Sequence, residues 1–336
     1  MAKVFFFRME CFRYSLNAKY VSIKELSYTL MRNKKSIFLI NFEYFFFRMA
    51  MNVVKILPLW LCFKIAALGG RLFFFFDIRH RNRTIQHLLH AGVVKTEAEA
   101  VELTRRNFIN FAKVGLEIFK CRQLMTRKNI ANILTISGSE QSKNLFFPAN
   151  GKAEPAIVIC AHFGNWEAAG QGITITSGIP LLSVMRPFDN PKIGDYINSR
   201  REGHTHAVVA KKGAIRPLLL AIKKGYSIAM MADQNAGETE GVVVDFFGHP
   251  ASTHSSPALL HLKTGVPILV LMPRRVSDDF KFDFILSDPI IHKPTEDKEK
   301  DIRDITQKFT YEIEKTVRLY PEQWLWAHRR WLDINR

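Results

Sequence analysis

Cysteine is scarce and scattered in this chain. Cys11, Cys62, Cys121 and Cys160 are the four in 336 residues, and no two form a CxxC pair. That excludes a disulfide scaffold and a thiolate zinc site, and it fits a reducing compartment. Phosphate-binding glycine loops are missing too: there is neither GxGxxG nor a Walker sequence, so no dinucleotide or ATP motif is present. No GxSxG elbow surrounds Ser252, Thr253, Ser255 or Ser256, and helix capping accounts for Ser255 or Ser256 better than a nucleophile does. The "HTH" run at 204–206 lacks the further Cys, Asp or His that would complete a metal set, and reads as a solvated loop. No internal repeat and no low-complexity linker divides the chain.

Acidic residues are in deficit, with 31 Asp plus Glu against 48 Lys plus Arg and a formal charge of +17. Such an excess predicts an anionic partner: nucleic acid, an anionic bilayer or a phosphorylated or acidic substrate. Unbroken apolar runs are also lacking. Between Phe42 and Phe76 they are cut by Glu43, Arg48, Lys55, Lys64 and Arg71, which argues for a tilted or interfacial helix, with a single span as the alternative. The N-terminus has no clean apolar h-region before a small-residue cleavage site, so a cleaved signal peptide is not expected and the reactive region stays cytoplasmic.

What is there in abundance is phenylalanine beside basic residues. Residues 1–95 hold "VFFFR", "YFFFRMAMNVVKILPLWLCFKIAALGGRLFFFF" and "IRHRNR". Bulky aromatics next to cations suit a bilayer interface, where rings enter the acyl boundary and cations meet phosphates. No nucleic-acid motif accompanies them. Residues 1–95 are therefore expected to be membrane-associated and residues 96–336 to form an α/β domain.

The grammar of the second part supports that division. "KTEAEAVELTRRNFINFAKVGLEIFKC" is a helix opened by a Thr96–Glu99 capping box. "AIVICA" (156–161), "SIAMMA" (227–232), "VPILVLM" (266–272) and "FKFDFIL" (280–286) read as strands, the first three almost continuously apolar. Such strands belong to a sheet covered on both faces. Helices over "AIRPLLLAIKKG", "SPALLHLKTG" and "DKEKDIRDITQKFTYEIEKTVRLYP" alternate with them, the last ending at Pro321. The expected fold is a mixed, mostly parallel sheet flanked by helices.

Reactive groups in such sheets gather beyond the carboxyl ends of the strands. His162 follows "AIVICA" and Asp233 follows "SIAMMA", so both are expected at one crevice. In "HFGNWE", a strand end, a turn through Gly164 and Asn165 and the first turn of a helix would let Glu167 fold back onto His162. Two readings fit that pair: a general base with an orienting carboxylate, or a capped turn with a satisfied histidine. Arg186 and Asn190 in "RPFDNP" are either phosphate or sugar ligands or a loop staple. Arg329 and Arg330 with Trp324, Trp326 and Trp331 are either an interfacial patch or the packing of the C-terminal segment.

"HFGNWE", "VMRPFDNP", "INSRREGH", "MMADQN", "VDFFGHPASTHSSPALLHLKTGVPILVLMPRR" and "PEQWLWAHRRW" together resemble the late acyltransferases of lipid A biosynthesis, the lauroyl and myristoyl transferases with an HxxxxE signature. The likeness runs in order from roughly Glu43 to Trp331. It implies a glycerol-3-phosphate acyltransferase-like fold and transfer of a fatty acyl chain from acyl carrier protein to a hydroxyl of a phosphorylated glycolipid, at the cytoplasmic face of the inner membrane of a Gram-negative cell. By position, His162 is implied as base and Glu167 as its partner, with Asp233 and Arg201 as further catalytic residues. Asn165, Arg186, Asn190 and Arg200 form the expected substrate-binding set. No metal and no cofactor are implied beyond the carrier-bound thioester, and nucleic acid is not an expected partner. Developing negative charge on the thioester oxygen needs donors, for which backbone N–H groups from Gly164 to Trp166 or a nearby arginine are the candidates. Acylation of a lysophospholipid or other glycolipid, and an inactive membrane-binding homologue, are the rival readings.

Overall fold

A computed structural model describes residues 35–148, 153–201, 206–211 and 213–331. Four helices come first: α1 (Ile37–Ile56), α2 (Leu59–Phe76), α3 (Ile78–His90) and α4 (Glu97–Leu124). A one-turn α5 (Ile130–Ile133), β1 (Leu134–Ser137) and α6 (Glu140–Phe146) lead to β2 (Ile157–Cys160). Then follow α7 (Trp166–Ser177), β3 (Leu181–Met185), α8 (Pro191–Arg201), β4 (His206–Ala210), α9 (Ile215–Lys223) and β5 (Ser227–Met231). A short α10 (Gly237–Glu240) precedes the hairpin β6 (Gly241–Phe246) and β7 (His249–His254); α11 (Ser256–Thr264), β8 (Ile268–Ser277), β9 (Lys281–Leu286) and α12 (Lys298–Leu319) complete the order.

Two compact units result: residues up to Ala50 with Arg186–Ser199, and Met51–Met185 with Arg200–Arg336. In the first, Asn190 Nδ2 donates to the Ile40 carbonyl and to Glu43, each at 2.9 Å, while its Oδ1 accepts from the amides of Lys192 and Ile193. The Arg48 guanidinium lies 4.7 Å from the centre of the Tyr196 ring, which meets Phe47 edge-on. Apolar side chains on this segment are largely exposed, including Phe38 at 77% and Phe45 at 63%.

The second unit holds a seven-stranded sheet in the order β1-β9-β8-β2-β5-β3-β4. From β8 to β4 neighbouring strands are parallel, and β9 pairs antiparallel with β8 while β1 runs parallel to β9. The mostly parallel α/β architecture read from the sequence is the one found. Continuous apolarity in β2 follows from burial on both faces. Ile157, Ile159 and Ala161 join one core with Ile268, Val270 and Met272; Ala156, Val158 and Cys160 join the other with Leu269 and Leu271. β3 and β4, with serine and histidine among their residues, carried no such signal and were not expected. The β6–β7 hairpin turns through Phe247 and Gly248, at φ of 61° and 80°, the paired positive angles that match the twist of the strands.

Helix boundaries follow local chemistry. Thr96 and Glu99 do form a reciprocal capping box on α4, and α11 stops at Gly265 with φ 71°. Ser255 stands at the start of α11 without capping it through its side chain; its hydroxyl donates to the Glu240 carbonyl instead. Pro58 precedes α2. That helix lies on α4 through Cys62, Phe63, Ala66, Gly70 and Phe74, with Phe74 edge-on to Phe108. Contact at Gly70 is close enough that a Cβ there would stand 2.6 Å from the Ile109 Cα. Its outer face is apolar and exposed: Trp60 60%, Leu68 58%, Leu72 48% and Phe75 65%. By length and composition α1 and α2 are both able to cross a membrane.

Candidate active site

Register places the central pair. In the parallel β2–β5 ladder Cys160 stands opposite Met231, so the residues two positions beyond each strand, His162 and Asp233, emerge side by side. The Asp233 carboxylate is buried, and three donors converge on it. Oδ1 meets His162 Nδ1 at 2.9 Å, and Oδ2 accepts from the His162 amide at 2.8 Å and from Trp324 Nε1 at 2.9 Å. With Nδ1 facing a carboxylate, the neutral ring holds its proton there and leaves Nε2 as the basic atom. The ring keeps 22% of its surface exposed against 2% for the aspartate. One side of the pair is open to a reactant and the other is sealed.

Electrostatics follow from that burial. Desolvation alone would raise the Asp233 carboxyl; the facing His162 and the hydrogen bonds from it and Trp324 overcome this and hold it down to about 2. Desolvation opposes the imidazolium of His162, and the Asp233 charge with its hydrogen bond outweighs that and raises the histidine above its ordinary value. Cys160, at the end of β2, is pushed up to about 12 by burial and then by the Asp233 charge, so it stays a thiol at neutral pH and is no nucleophile.

The turn after His162 is built around a close contact. Gly164 sits at φ 51°, and a Cβ on it would stand 1.8 Å from the Pro273 carbonyl oxygen. Only glycine fits there. Its amide donates to the Gln323 carbonyl and the Asn165 amide to that of Pro273, which removes both from the set of oxyanion donors expected from the sequence. Trp166, first residue of α7, keeps a first-turn N–H that helix geometry leaves without an intrahelical partner. Its ring lies edge-on to His162 at 5.2 Å.

Asn165 was expected to bind substrate, and the structure gives it a different task. It is wholly buried, its Oδ1 caps α7 at the Ala168 amide, and its Nδ2 donates to Glu117. Glu117 is held in turn by Nε and Nη2 of Arg275, at 2.9 and 2.5 Å. Arg275 also donates to Asn110. Removing one member of a buried charge pair of this kind costs on the order of 3–5 kcal/mol, so this chain is a rigid mount for the first turn of α7.

Glu167 lies in that first turn, half-buried. The sequence reading gave it the task of fixing the histidine tautomer; the carboxylate on Nδ1 is Asp233. Asn190 has both ends of its amide engaged within its own unit, the staple rather than the ligand reading, and Arg186 is exposed beside it. Arg200 and Arg201 end α8, and their side chains lie outside the described residues, as do His204 and Thr205 of the "HTH" run. Among the described residues no group of three His, Cys, Asp or Glu is placed to hold a metal ion.

Sequence reasoning missed two side chains at the site. Trp324 had been grouped with an interfacial patch or with packing. Packing is what the structure has: Trp324, Trp326, Trp331 and Arg330 are each at most 1% exposed, and Trp324 also holds Asp233. The second is Gln234, whose carboxamide nitrogen lies 3.2 Å from His162 Nδ1 and 3.3 Å from Nε2.

A histidine base beside a buried aspartate at adjacent strand ends suits hydroxyl activation, and the sequence decides which kind. Residues 31–333 match the model of the bacterial lipid A biosynthesis acyltransferases. The chain belongs to this family. Among its relatives, the lipid A biosynthesis lauroyltransferase of Escherichia coli (strain K12) is 23% identical over 248 residues, 72% of this chain and 78% of that protein. A lipid A biosynthesis acyltransferase of Haemophilus influenzae is 26% identical over 176 residues, 52% of this chain and 54% of that protein. The phosphatidylinositol mannoside acyltransferase of Mycobacterium tuberculosis is 23% identical over 181 residues, 53% and 54% of the two chains. Membership of the lipid A acyltransferase family makes the chain an acyltransferase of lipid A synthesis, and the His162–Asp233 pair is its candidate catalytic centre.

Proposed function

We propose that the protein transfers a fatty acyl chain from acyl carrier protein to a hydroxyl of a lipid A precursor, with His162 as general base. The observation that carries this is the His162–Asp233 hydrogen bond, which leaves Nε2 as the basic nitrogen of a partly exposed ring. In the reaction, Nε2 takes the proton of the acceptor hydroxyl as its oxygen attacks the thioester carbon. Charge builds on the carbonyl oxygen, where the Trp166 amide and Arg201 are the proposed donors. The C–S bond then breaks, and the imidazolium returns its proton to the leaving thiolate. Asp233 stabilises the imidazolium throughout and keeps its own charge. The chemistry needs neither metal nor redox cofactor. Glu167, in the first turn of α7, is proposed to orient the acceptor.

Charge and surface support the choice of partners. A +17 chain attracts both an acidic carrier and a phosphorylated acceptor. The outer face of α2 is proposed to lie in the plane of the inner membrane on its cytoplasmic side, because its inner face is packed on α4, whose buried polar residues Asn107, Asn110 and Glu117 tie it to the α/β domain. Lys64 and Arg71 on α2 would meet lipid phosphates.

The test is transfer of labelled acyl chain from acyl carrier protein to a panel of acceptors. His162→Ala should lower turnover by several orders of magnitude while the thermal unfolding profile is kept; near-normal turnover would sink the proposal. The mannoside acyltransferase relative keeps a glycolipid of another type in the panel, and preference for it over the lipid A precursor would move the acceptor and leave the mechanism.

A further inference from the structure

Beside the mount of α7 lies a cavity of about 270 Å³, walled by α4, the end of β8 and the turn at Glu322. By liquid volume it has room for roughly nine waters, so a single bridging water does not fill it. Arg106, Asn110 and Lys113 line it from α4, at the i, i+4 and i+7 spacing of one helix face. Asn110 is 8% exposed. Its Oδ1 accepts from Arg275 Nη1 at 2.7 Å, while its Nδ2 has no acceptor among the described residues. A buried donor left so costs on the order of 1–3 kcal/mol, which an oxygen of a ligand in the cavity would offset.

The charges around the cavity say what that ligand carries. Lys113 Nζ meets both oxygens of Asp278 at 2.7 Å, and Arg275 holds Glu117, so these four are matched. One lining charge of each sign is left. Arg106 is exposed and makes no hydrogen bond or ion pair among the described residues. Glu322 gives its carbonyl to Asn107, and its carboxylate receives only a 3.5 Å contact from Gln323. A guanidinium with an amide donor beside it suits phosphate oxygens, and the carboxylate across the cavity suits an ammonium. The cavity also adjoins α2, since the Lys113 ammonium stands 5.8 Å from the centre of the Phe63 ring. We propose that it binds the headgroup of a bilayer phospholipid that bears both charges, its phosphate on Arg106 and Asn110 Nδ2 and its ammonium on Glu322. This rests on the bilayer contact of α2 and not on the acyl-transfer chemistry.

The full-length protein, in a maltoside detergent that holds no phosphate, is titrated with glycerophosphoethanolamine, glycerol phosphate and inorganic phosphate at one ionic strength, with binding followed by ³¹P NMR. The amine-bearing ester should bind most tightly. Arg106→Gln removes a charge-assisted donor and should weaken that binding about tenfold or more. Asn110→Asp keeps the oxygen that Arg275 holds and puts an acceptor in place of the donor, so all three probes should lose binding. Glu322→Gln separates the two halves of the ligand. Glycerophosphoethanolamine should bind it more weakly, and glycerol phosphate, no longer facing a carboxylate, more tightly.

Preference for the amine-bearing ester with opposite responses of the two esters to Glu322→Gln supports the site. Equal affinity for the three probes, or a preference unmoved by Glu322→Gln, overturns the zwitterionic headgroup. Absence of binding, or binding that survives Arg106→Gln and Asn110→Asp alike, overturns the cavity as its place. Should Asn110→Asp lower Tm, Arg106→Gln, made on an exposed side chain, carries the test. Because the probes are soluble, a failure of α2 to hold the protein on vesicles would sink the bilayer reading and leave the headgroup result standing on its own.

Discussion

Replacing Asp233 with asparagine tests the site more sharply than deletion does, because the three donors on the carboxylate dictate how an amide must sit. Oδ2 receives two N–H groups, from the His162 backbone and from Trp324 Nε1. An amide oxygen fits that position and an amide nitrogen does not. The nitrogen is therefore forced to the place of Oδ1, opposite His162 Nδ1. There it acts only as a donor, so the histidine must carry its proton on Nε2 and loses its basic lone pair. The charge loss alone has a size: lowering a carboxyl from 3.8 to about 2 corresponds to about 2 kcal/mol favouring the ionised form. Losing that stabilisation of the imidazolium would cost about 30-fold in rate. The wrong tautomer adds to it, and the combined loss in an Asp-to-Asn triad variant of a serine protease is about 10⁴-fold. Asp233→Asn should therefore reduce transfer by at least about 10³-fold, and by more than Asp233→Ala, in which no donor faces Nδ1. With the charge gone and burial retained, the residual activity should have its acid limb at lower pH than the wild type. The assay is the pH dependence of kcat/KM on folded protein, with ¹⁵N NMR reading the tautomer and Glu167→Gln run beside it. An Asn variant within threefold of wild type, or one that keeps its proton on Nδ1, would refute the reasoning. So would tautomer inversion in Glu167→Gln with none in Asp233→Asn.

Two further outcomes concern stability and attachment. His87 is fully buried, and desolvation outweighs its hydrogen bond to the Trp326 carbonyl to bring it from 6.5 down to about 4. As pH falls the unfolded chain takes the proton first, so stability present above pH 6.5 is lost progressively toward pH 4, by about 3 kcal/mol in all; calorimetry across that window should show a steeper fall in Tm than His87→Gln does, and equal slopes would rule the group out. On α2, Leu68 and Leu72 are 58% and 48% exposed, so Leu68→Glu with Leu72→Glu should leave Tm within about a degree or two yet abolish sedimentation with anionic vesicles; retained sedimentation would remove α2 from the bilayer contact.

Much of the sheet was legible because burial on both faces leaves an unmistakable trace: β2 and the first half of β8, Ile268 to Met272, are wholly apolar and buried, and Ser227 is the one polar residue of β5. β3 and its edge neighbour β4 are buried along only part of their length and carry Ser183 and His206, which share a hydrogen bond at 2.7 Å, so their apolar pattern is diluted. At the site, local spacing pointed the wrong way. His162 and Glu167 are near in sequence, yet the carboxylate that fixes the ring comes from 71 residues downstream. The parallel register held the answer in principle, since "AIVICAH" and "SIAMMAD" end at the same offset. What no spacing rule supplies is which atom of which carboxylate the ring meets, because that depends on Trp324 and the amide of His162 competing for the same oxygens.

The C-terminal segment explains why the site is rigid. Phe163 and Trp324 form an antiparallel bridge, Leu325 donates to the His162 carbonyl, and Gly164 donates to that of Gln323. Asn107 of α4 donates to the Glu322 and Trp324 carbonyls, so the segment is fixed from its other side as well. Its three buried tryptophans each remove on the order of 150–250 Å² from water, about 4–6 kcal/mol of gross stabilisation apiece. The "PEQWLWAHRRW" motif is thus a 3-10 turn and a single isolated bridge that clamp the backbone on either side of the base. The loop that presents His162 therefore has little freedom to move, and the imidazole is held on Asp233 before any acceptor hydroxyl arrives.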